Sequence, residues 1–325
     1  MKSFLVFFVT LFFPVWLAGH EYHFEADWLT PPMGMAQIGD SHGEIAVDSN
    51  GLVYVSVAGG DKPGIQVYSR EGKYLRNVPN SRANHHGFTI VNQNGKEYIY
   101  AACLGGDTAA IKLSLDGEVL LTIPTHRIPK SEWIPHPKRP EQGPGLALTH
   151  IDVAPNKDIY IIDGYRSDKI FVFDYKGIYK KRIAGKKAPY NFNNAHKFAV
   201  DRRFEPARLL VCDRNNRRLV HLSLEGDLIG EVATELRRPS SIAFYKDLVG
   251  VAEINGRVSV LDKRGKMVSQ MGANENPEEV DTNRVEPGKW REGTVTSPHG
   301  IAFDGDGNVL MAEWNKWGRV LRWER

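Results

Sequence analysis

Short apolar runs alternate with turn residues along most of the chain, and the same arrangement occurs six times. Each unit starts with an apolar run, turns, and continues in a second run rich in Val, Ile, Leu or Tyr. In the first five units a third run leads into a glycine-centred turn such as SREGK or SLDGE. This pattern predicts short antiparallel strands. The units begin at His42, His86, His150, His196, Ser240 and His299.

A repeat of roughly 40–60 residues with four antiparallel strands is typical of a β-propeller blade. Six units therefore predict an all-β, six-bladed β-propeller. The sixth unit ends at Arg325 after its third strand. The alternating segment EYHFEADW, at 21–28, is predicted to supply the missing outer strand and close the ring, since closure leaves no long edge exposed. We expect one propeller domain over residues 20–325.

The chain starts with Lys2 and an apolar run from Phe4 to Ala18. This run is shorter than the roughly 20 residues that a membrane-spanning helix needs. Small residues at its end offer a cleavage point, so residues 1–19 are predicted to be a secretory signal peptide, with an uncleaved anchor as the alternative. We expect a secreted or periplasmic protein that has no membrane attachment after cleavage.

Charge and cysteine content narrow the range of partners. The 42 Lys and Arg residues nearly balance the 39 Asp and Glu residues, giving a formal net charge of +3. No basic run carries interleaved aromatic residues, so nucleic acid is not expected as a partner. A small-molecule or peptide substrate and a monomeric protein are expected. Cys103 and Cys212 lie in different units and are interpreted as buried free thiols.

Strand direction sorts the loops between the two faces of the ring. If the innermost strand of a blade starts at one face, the turn after its second strand and the loop to the next blade lie there too. Five of the six units carry a histidine at the start of the innermost strand. The turns with Tyr165 and Arg214, and the long loops 125–148 and 273–295, fall on the same face. The sequence therefore predicts one functional mouth.

Three of these histidines, His86, His196 and His299, belong to alternate blades, which lie about 120° apart in a six-fold ring. Three neutral imidazoles with one open position form a catalytic zinc site. His150 is the rival to His86, because the spacing differs by one residue and a one-residue slip reverses the face of a strand side chain. For any single histidine, the alternative is a structural role, in which the ring stands at the start of a strand and hydrogen-bonds to the backbone.

The blades resemble NHL-type repeats, and four of them resemble the peptidyl-α-hydroxyglycine α-amidating lyase family more narrowly. The resemblance covers most of the chain after the signal segment and is weaker outside a few motifs. Those motifs are HGFTI at 86–90, DGYRSDK at 163–169, AHKFAV at 195–200, DRNN at 213–216 and SPHGIAF at 297–303.

The resemblance implies a chemistry as well as a fold. The family is a six-bladed propeller that cleaves a C–N bond, giving a peptide amide and glyoxylate. It implies a catalytic role for Tyr165 and Arg214 and a calcium ion in the channel. It implies zinc on His86, His196 and His299.

Three positions depart from the family pattern. Its first-blade arginine, thought to meet the substrate carboxylate, has no counterpart in VSVAGGDKPG at 55–64, where Lys62 is the nearby cation. Gly300 stands where the family has an acidic residue. Ca²⁺ is therefore a secondary expectation beside Zn²⁺. Arg166 replaces a cysteine. We take Arg166, Lys62 and His150 as candidate substrate-binding residues.

The first hypothesis is a secreted zinc-dependent lyase-like enzyme in which Tyr165 is the base and Arg214 stabilises negative charge. One alternative is a non-catalytic extracellular propeller that binds carbohydrate or peptide. Another is a metal-dependent lyase or hydrolase that acts on a sugar. Four tryptophans near the mouth would suit stacking on a sugar ring, with packing under the loops as the other reading. They are Trp133, Trp290, Trp314 and Trp317.

Overall fold

A computed structural model describes residues 21–105 and 108–325. These residues form six four-stranded antiparallel sheets and one separate two-stranded hairpin. The prediction of an all-β, six-bladed propeller is confirmed. The predicted signal peptide at 1–19 lies outside the described residues.

The strands follow one another through the blades in chain order. Strand β1 (His23–Glu25) precedes the first blade. Blade 1 holds β2 (Ile45–Val47), β3 (Val53–Val57), β4 (Gly64–Tyr68) and β5 (Tyr74–Asn77). Blade 2 holds β6 (His85–Gln93), β7 (Lys96–Cys103), β8 (Ala109–Ser114) and β9 (Val119–Pro124). A hairpin of β10 (Ile134–His136) and β11 (Arg139–Gly145) separates it from the third blade.

The remaining blades repeat the order. Blade 3 holds β12 (His150–Val153), β13 (Ile159–Ile162), β14 (Ile170–Phe173) and β15 (Tyr179–Ile183). Blade 4 holds β16 (Ala195–Asp201), β17 (Arg208–Asp213), β18 (Arg218–Ser223) and β19 (Leu228–Ala233). Blade 5 holds β20 (Pro239–Tyr245), β21 (Leu248–Glu253), β22 (Arg257–Leu261) and β23 (Met267–Met271). Blade 6 holds β24 (Pro298–Phe303), β25 (Val309–Glu313) and β26 (Val320–Glu324).

The N-terminal strand completes blade 6, as the sequence predicts. β1 runs antiparallel to β26, with His23 opposite Glu324. Apolar cores fill all six interfaces between neighbouring blades. The core between blades 6 and 1 packs Leu310 with Val55, so the ring is closed. The two cysteines are buried free thiols, as expected, and each lies in one of these cores.

Bulges at the start of the innermost strand distinguish four blades from the other two. In blade 2, His85 and Gly87 pair with adjacent residues of β7, so His86 is an extra residue in the ladder. The same irregularity occurs at the equivalent position in blades 4, 5 and 6. A bulge re-aims the extra side chain. His150 instead pairs in register with Ile162. The extra residues are His86, His196, Ser240 and His299.

Buried carboxylates at the end of the second strand tie down the loops of the mouth. Asp163 accepts a hydrogen bond from the backbone of Ala147 at 2.6 Å, and Asp213 accepts one from Asn193 at 2.9 Å. Both carboxylates are fully buried. The loops entering blades 3 and 4 are therefore fixed to the turn that follows the second strand of the same blade, on the face where the histidines start.

The two long loops differ from each other. The first, 125–148, contains the β10–β11 hairpin and two short 3₁₀ turns at Thr125–Arg127 and Lys130–Glu132. The second, 273–295, is irregular apart from a 3₁₀ turn at Pro287–Lys289. In the described part of the chain, no helix has the length and apolar character to cross a membrane.

Candidate metal centre and active site

The imidazoles of three alternate blades meet near the ring axis. The ring centroids of His86 and His196 are 4.9 Å apart, those of His86 and His299 are 5.1 Å apart, and those of His196 and His299 are 4.8 Å apart. Each residue is at most 2% exposed. The bulges bring about this convergence because they turn all three side chains out of their ladders in the same way.

Backbone carbonyls of the next blade orient two of these rings. Nδ1 of His86 donates to the Thr149 carbonyl at 2.8 Å, and Nδ1 of His196 donates to the Ser240 carbonyl at 2.8 Å. A carbonyl only accepts, so Nδ1 carries the proton and Nε2 keeps its lone pair. A carbonyl behind the far nitrogen is the usual second partner of a metal-bound histidine.

His299 lacks any such partner. Both of its ring nitrogens are buried, and neither has a hydrogen bond to another described residue. Buried polar atoms are nearly always paired, so two unpaired nitrogens beside two oriented imidazoles point to a missing ligand. The donor set is all nitrogen, which suits Zn²⁺.

Protonation does not compete with metal binding here. Burial is the main cause that holds the pKa of His86 well below its usual range, and the same is true of His196 and His299. The three imidazoles are therefore neutral at physiological pH, which is the form that binds a metal ion.

A fourth imidazole joins the cluster, and it is not the one that the sequence offered as a rival. The ring of His42 lies 4.4 Å from that of His86 and 5.0 Å from that of His299. Ligand nitrogens of these three residues all lie within 4.8 Å of one another. His150 faces away, with Nδ1 at 3.8 Å from Glu44 Oε2 and its ring against Phe198.

Tyr165 reaches two of these histidines from the turn after β13. Its hydroxyl lies 2.8 Å from Nε2 of His86 and 3.2 Å from Nε2 of His196. Gly164 allows this approach, because a Cβ there would lie 2.5 Å from the Ala195 carbonyl oxygen. Burial raises the pKa of Tyr165, and the charge and hydrogen bond of Arg214 oppose that rise.

Among the described residues, Arg214 is a buried cation that forms no ion pair with a carboxylate. It is 4% exposed, and its Nε and Nη2 have no hydrogen bond to any described residue. Its guanidinium instead interacts with Tyr165. A buried guanidinium with free donors is a binding site for an anionic group. Arg214 thus lies where negative charge on a substrate would be stabilised.

A cavity of about 580 Å³ opens over these groups. The loops contribute both charges and amides to its wall. Two of its cations are paired, since Lys186 Nζ lies 3.4 Å from Asp168 and Arg238 bonds Asp281. The wall includes His42, His299, Tyr165, Arg214, Lys138, Arg139, Asn193, Asn194, Asn215 and Trp314.

Two expected substrate-binding residues have other contacts. Arg166 donates to the carbonyls of Ile134 and Gly143, both at 3.0 Å, so it anchors the β10–β11 hairpin. Lys62 is exposed outside the cavity wall, with its ammonium 5.3 Å from the centre of the Tyr74 ring. The third, His150, faces Glu44, as described above. These positions give the three residues structural or surface roles that differ from the expectation.

Of the four tryptophans, some pack under the loops and one faces the cavity. Trp133 and Trp290 donate their indole N–H to loop carbonyls, of Ile128 at 3.1 Å and Val285 at 3.0 Å. They therefore hold the mouth loops. Of the four candidates, only Trp314 lines the described cavity, where its ring stacks with His42 at 6.1 Å.

The channel beneath the histidines does not fit calcium. Both oxygens of Glu44 accept hydrogen bonds from Nζ of Lys197 at 2.8 Å. A Cβ at Gly300 would lie 2.1 Å from the Gly43 carbonyl oxygen, so no acidic side chain could stand there. The ammonium group of Lys197 neutralises Glu44, and the nearby Asp152 accepts hydrogen bonds from the backbone amides of Val153 and Val200. Ca²⁺ requires several free oxygen ligands, which these two carboxylates do not offer.

Sequence reasoning missed His42 and Lys197. His42 carried a visible signal, because it starts the first unit with the same HG pair as His86 and His299. His42 belongs to blade 1 and so falls outside the alternate blades 2, 4 and 6. Lys197 carried none, because a lysine after a strand-start histidine is ordinarily solvated.

The comparisons with known proteins agree with this fold. A family model described as a 6-bladed beta-propeller (DUF5128) matches residues 148–247. No curated protein matches the chain in sequence.

Solved structures match most of the chain at low identity. A virginiamycin B lyase from Staphylococcus aureus, crystallised with quinupristin, is 14% identical with a TM-score of 0.57, over 94% of this chain and all (100%) of the other. A gluconolactonase from Xanthomonas campestris is 13% identical with a TM-score of 0.59, over 88% of this chain and 87% of the other. A Bacteroides thetaiotaomicron protein of unknown function is 12% identical with a TM-score of 0.59, over 88% and 69%. At such identities the likeness is one of fold.

Proposed function

We propose that the protein is an exported, zinc-dependent lyase-like enzyme that uses the mouth of the propeller as its active site. The observation that carries the proposal is the meeting of three buried, neutral imidazoles with the Tyr165 hydroxyl, which is 2.8 Å and 3.2 Å from two of them. Zn²⁺ would be held by His86, His196 and His299. When bound, it polarises a substrate oxygen and favours the ionised form of the nearby phenol.

The residues of the chain then divide the reaction between them. Tyr165 takes the proton from the substrate hydroxyl, and the hydroxyl-bearing carbon becomes a carbonyl as its bond to nitrogen breaks. The electron pair of that bond goes to the nitrogen, which takes up a proton and leaves as an amide. Arg214 stabilises the negative charge on the oxygen side. With a peptidyl-α-hydroxyglycine, the products are a peptide amide and glyoxylate.

A second candidate is a metal-dependent lyase or hydrolase that acts on a sugar, such as a sugar lactone. The wall of the cavity favours it, because Trp314 and the amides of Asn193, Asn194 and Asn215 lie together there. An aromatic face beside amide groups suits a polyhydroxylated ring. The likeness to a gluconolactonase fold points the same way.

The test is turnover of two substrate classes by zinc-loaded protein. We expect glyoxylate release from peptidyl-α-hydroxyglycines; lactone hydrolysis alone would select the second candidate. Replacing the base, Tyr165→Phe, should lower turnover by about 10²–10⁴-fold and leave zinc content unchanged. Tyr190→Phe is the matched control, because its hydroxyl bonds the Gly226 carbonyl at 2.7 Å, outside the cavity wall. Retained turnover in Tyr165→Phe would remove Tyr165 from the mechanism, and absence of zinc would leave a non-catalytic binding propeller.

A further inference from the structure

The histidine cluster contains one more imidazole than the proposed function uses. His42 and His86 form the closest ring pair of the cluster, at 4.4 Å between centroids. The three pairs among His86, His196 and His299 lie between 4.8 Å and 5.1 Å. His42 also lies 5.0 Å from His299, so its distances to two members of the group match or undercut the distances within the group.

The backbone around His42 fixes it in this place. The neighbouring Ser41 exchanges two backbone hydrogen bonds with Asn315 in blade 6, at 2.9 Å and 3.0 Å. Its hydroxyl bonds the Ser56 carbonyl at 2.9 Å and accepts from the Gly43 amide at 2.9 Å. His42 therefore starts blade 1 beside a residue that is clamped between blades 6 and 1, without the bulge that turns the other three.

The nitrogens are spaced for a shared ion. Ligand nitrogens of His42, His86 and His299 lie within 4.8 Å of one another. A point equidistant from three atoms at that limit lies about 2.8 Å from each, within an ångström of the Zn–N distance of about 2.0–2.1 Å. The His42 ring has no hydrogen bond to a described residue, and neither nitrogen of His299 has one.

We propose that His42 is a fourth nitrogen ligand of the ion held by His86, His196 and His299. The inference rests on the proposed function in so far as that function places a metal at this cluster. His42 and His299 line the cavity and His86 and His196 do not, and His42 is the one partly exposed imidazole of these four. It is therefore the ligand that meets an incoming substrate oxygen and gives way to it.

The test compares Zn²⁺ affinity and the visible absorption of Co²⁺-loaded protein between wild type and His42→Ala. We expect the variant to bind Zn²⁺ at least about tenfold more weakly and to change the Co²⁺ spectrum. His150→Ala, which removes a channel histidine outside the cluster, should change neither. His42→Cys should give a new sulfur-to-cobalt charge-transfer band in the near ultraviolet, since cysteine thiolate is itself a ligand.

Unchanged Zn²⁺ affinity in His42→Ala, together with no charge-transfer band in His42→Cys, would overturn the inference and leave the three-histidine site standing. If the wild-type protein binds neither Zn²⁺ nor Co²⁺, the inference and the proposed function both fail. Thermal unfolding of the metal-free proteins checks that the variants are folded.

Discussion

Glu44 and Lys197 join opposite blades across the channel, and we expect this contact to be expensive to break. All three ammonium hydrogens are used, since Lys197 donates to both Glu44 oxygens at 2.8 Å and to Ser241 Oγ at 2.7 Å. The side chains are 7% and 2% exposed. Lys197→Met removes the cation and leaves a buried carboxylate without it. The free energy of unfolding should therefore fall by about 3–5 kcal/mol.

A double-mutant cycle separates the pair from its surroundings. Glu44→Gln combined with Lys197→Met removes both charges of this pair together. The free energy of unfolding of the double variant should therefore fall by much less than the sum of the two single losses. Urea unfolding at fixed pH measures all four proteins. The control is Lys180→Met, which breaks an ion pair with Asp158 at 2.6 Å. The side chain of Lys180 is 46% exposed, so this substitution should lower the free energy of unfolding by less than about 1 kcal/mol. A loss in Lys197→Met no greater than in this control would refute the reasoning.

Three further outcomes follow from the contacts. Calcium should not raise the urea midpoint of the wild-type protein, because the Lys197 ammonium already neutralises the Glu44 carboxylate. Burial alone would raise the pKa of Asp201, but hydrogen bonds from Arg203 and His221 outweigh it and hold that pKa below its usual range. Because the pKa of Asp201 is lower in the folded state than in the unfolded state, its ionised form stabilises the fold at any pH above the unfolded-state pKa. Asp201→Asn should therefore lower the free energy of unfolding by about 2–3 kcal/mol at pH 7, and this difference should shrink below about pH 4. Arg166→Ala should speed proteolysis within 134–145, and an unchanged cleavage rate would contradict its anchoring role.

The fold could be predicted because its physical signal is repeated. Each blade must bury an apolar face against two neighbours, so the same strand and turn pattern recurs through the chain. The segment at 21–28 was predictable as the closing strand because the last unit lacks one. The hairpin at 134–145 was not, because its proline- and glycine-rich sequence carries no strand pattern and it is held by Arg166 from another loop.

The site could be predicted only as far as residue type and blade number allow. His86, His196 and His299 follow from the ring symmetry, and the structure brings them together. The bulge that separates His86 from His150 has no marker in the sequence, since both residues start similar strands. His42 depends on a clamp between blades 1 and 6, which are the first and last in the chain.

The metal content of the purified protein tests the central claim most directly. We predict about one zinc ion per chain in the wild-type protein, loss of that zinc in His196→Ala, and its retention in His150→Ala. Inductively coupled plasma mass spectrometry after dialysis against metal-free buffer measures all three. A wild-type protein without zinc, or a His196→Ala variant that keeps it, would contradict the claim that alternate blades hold the ion.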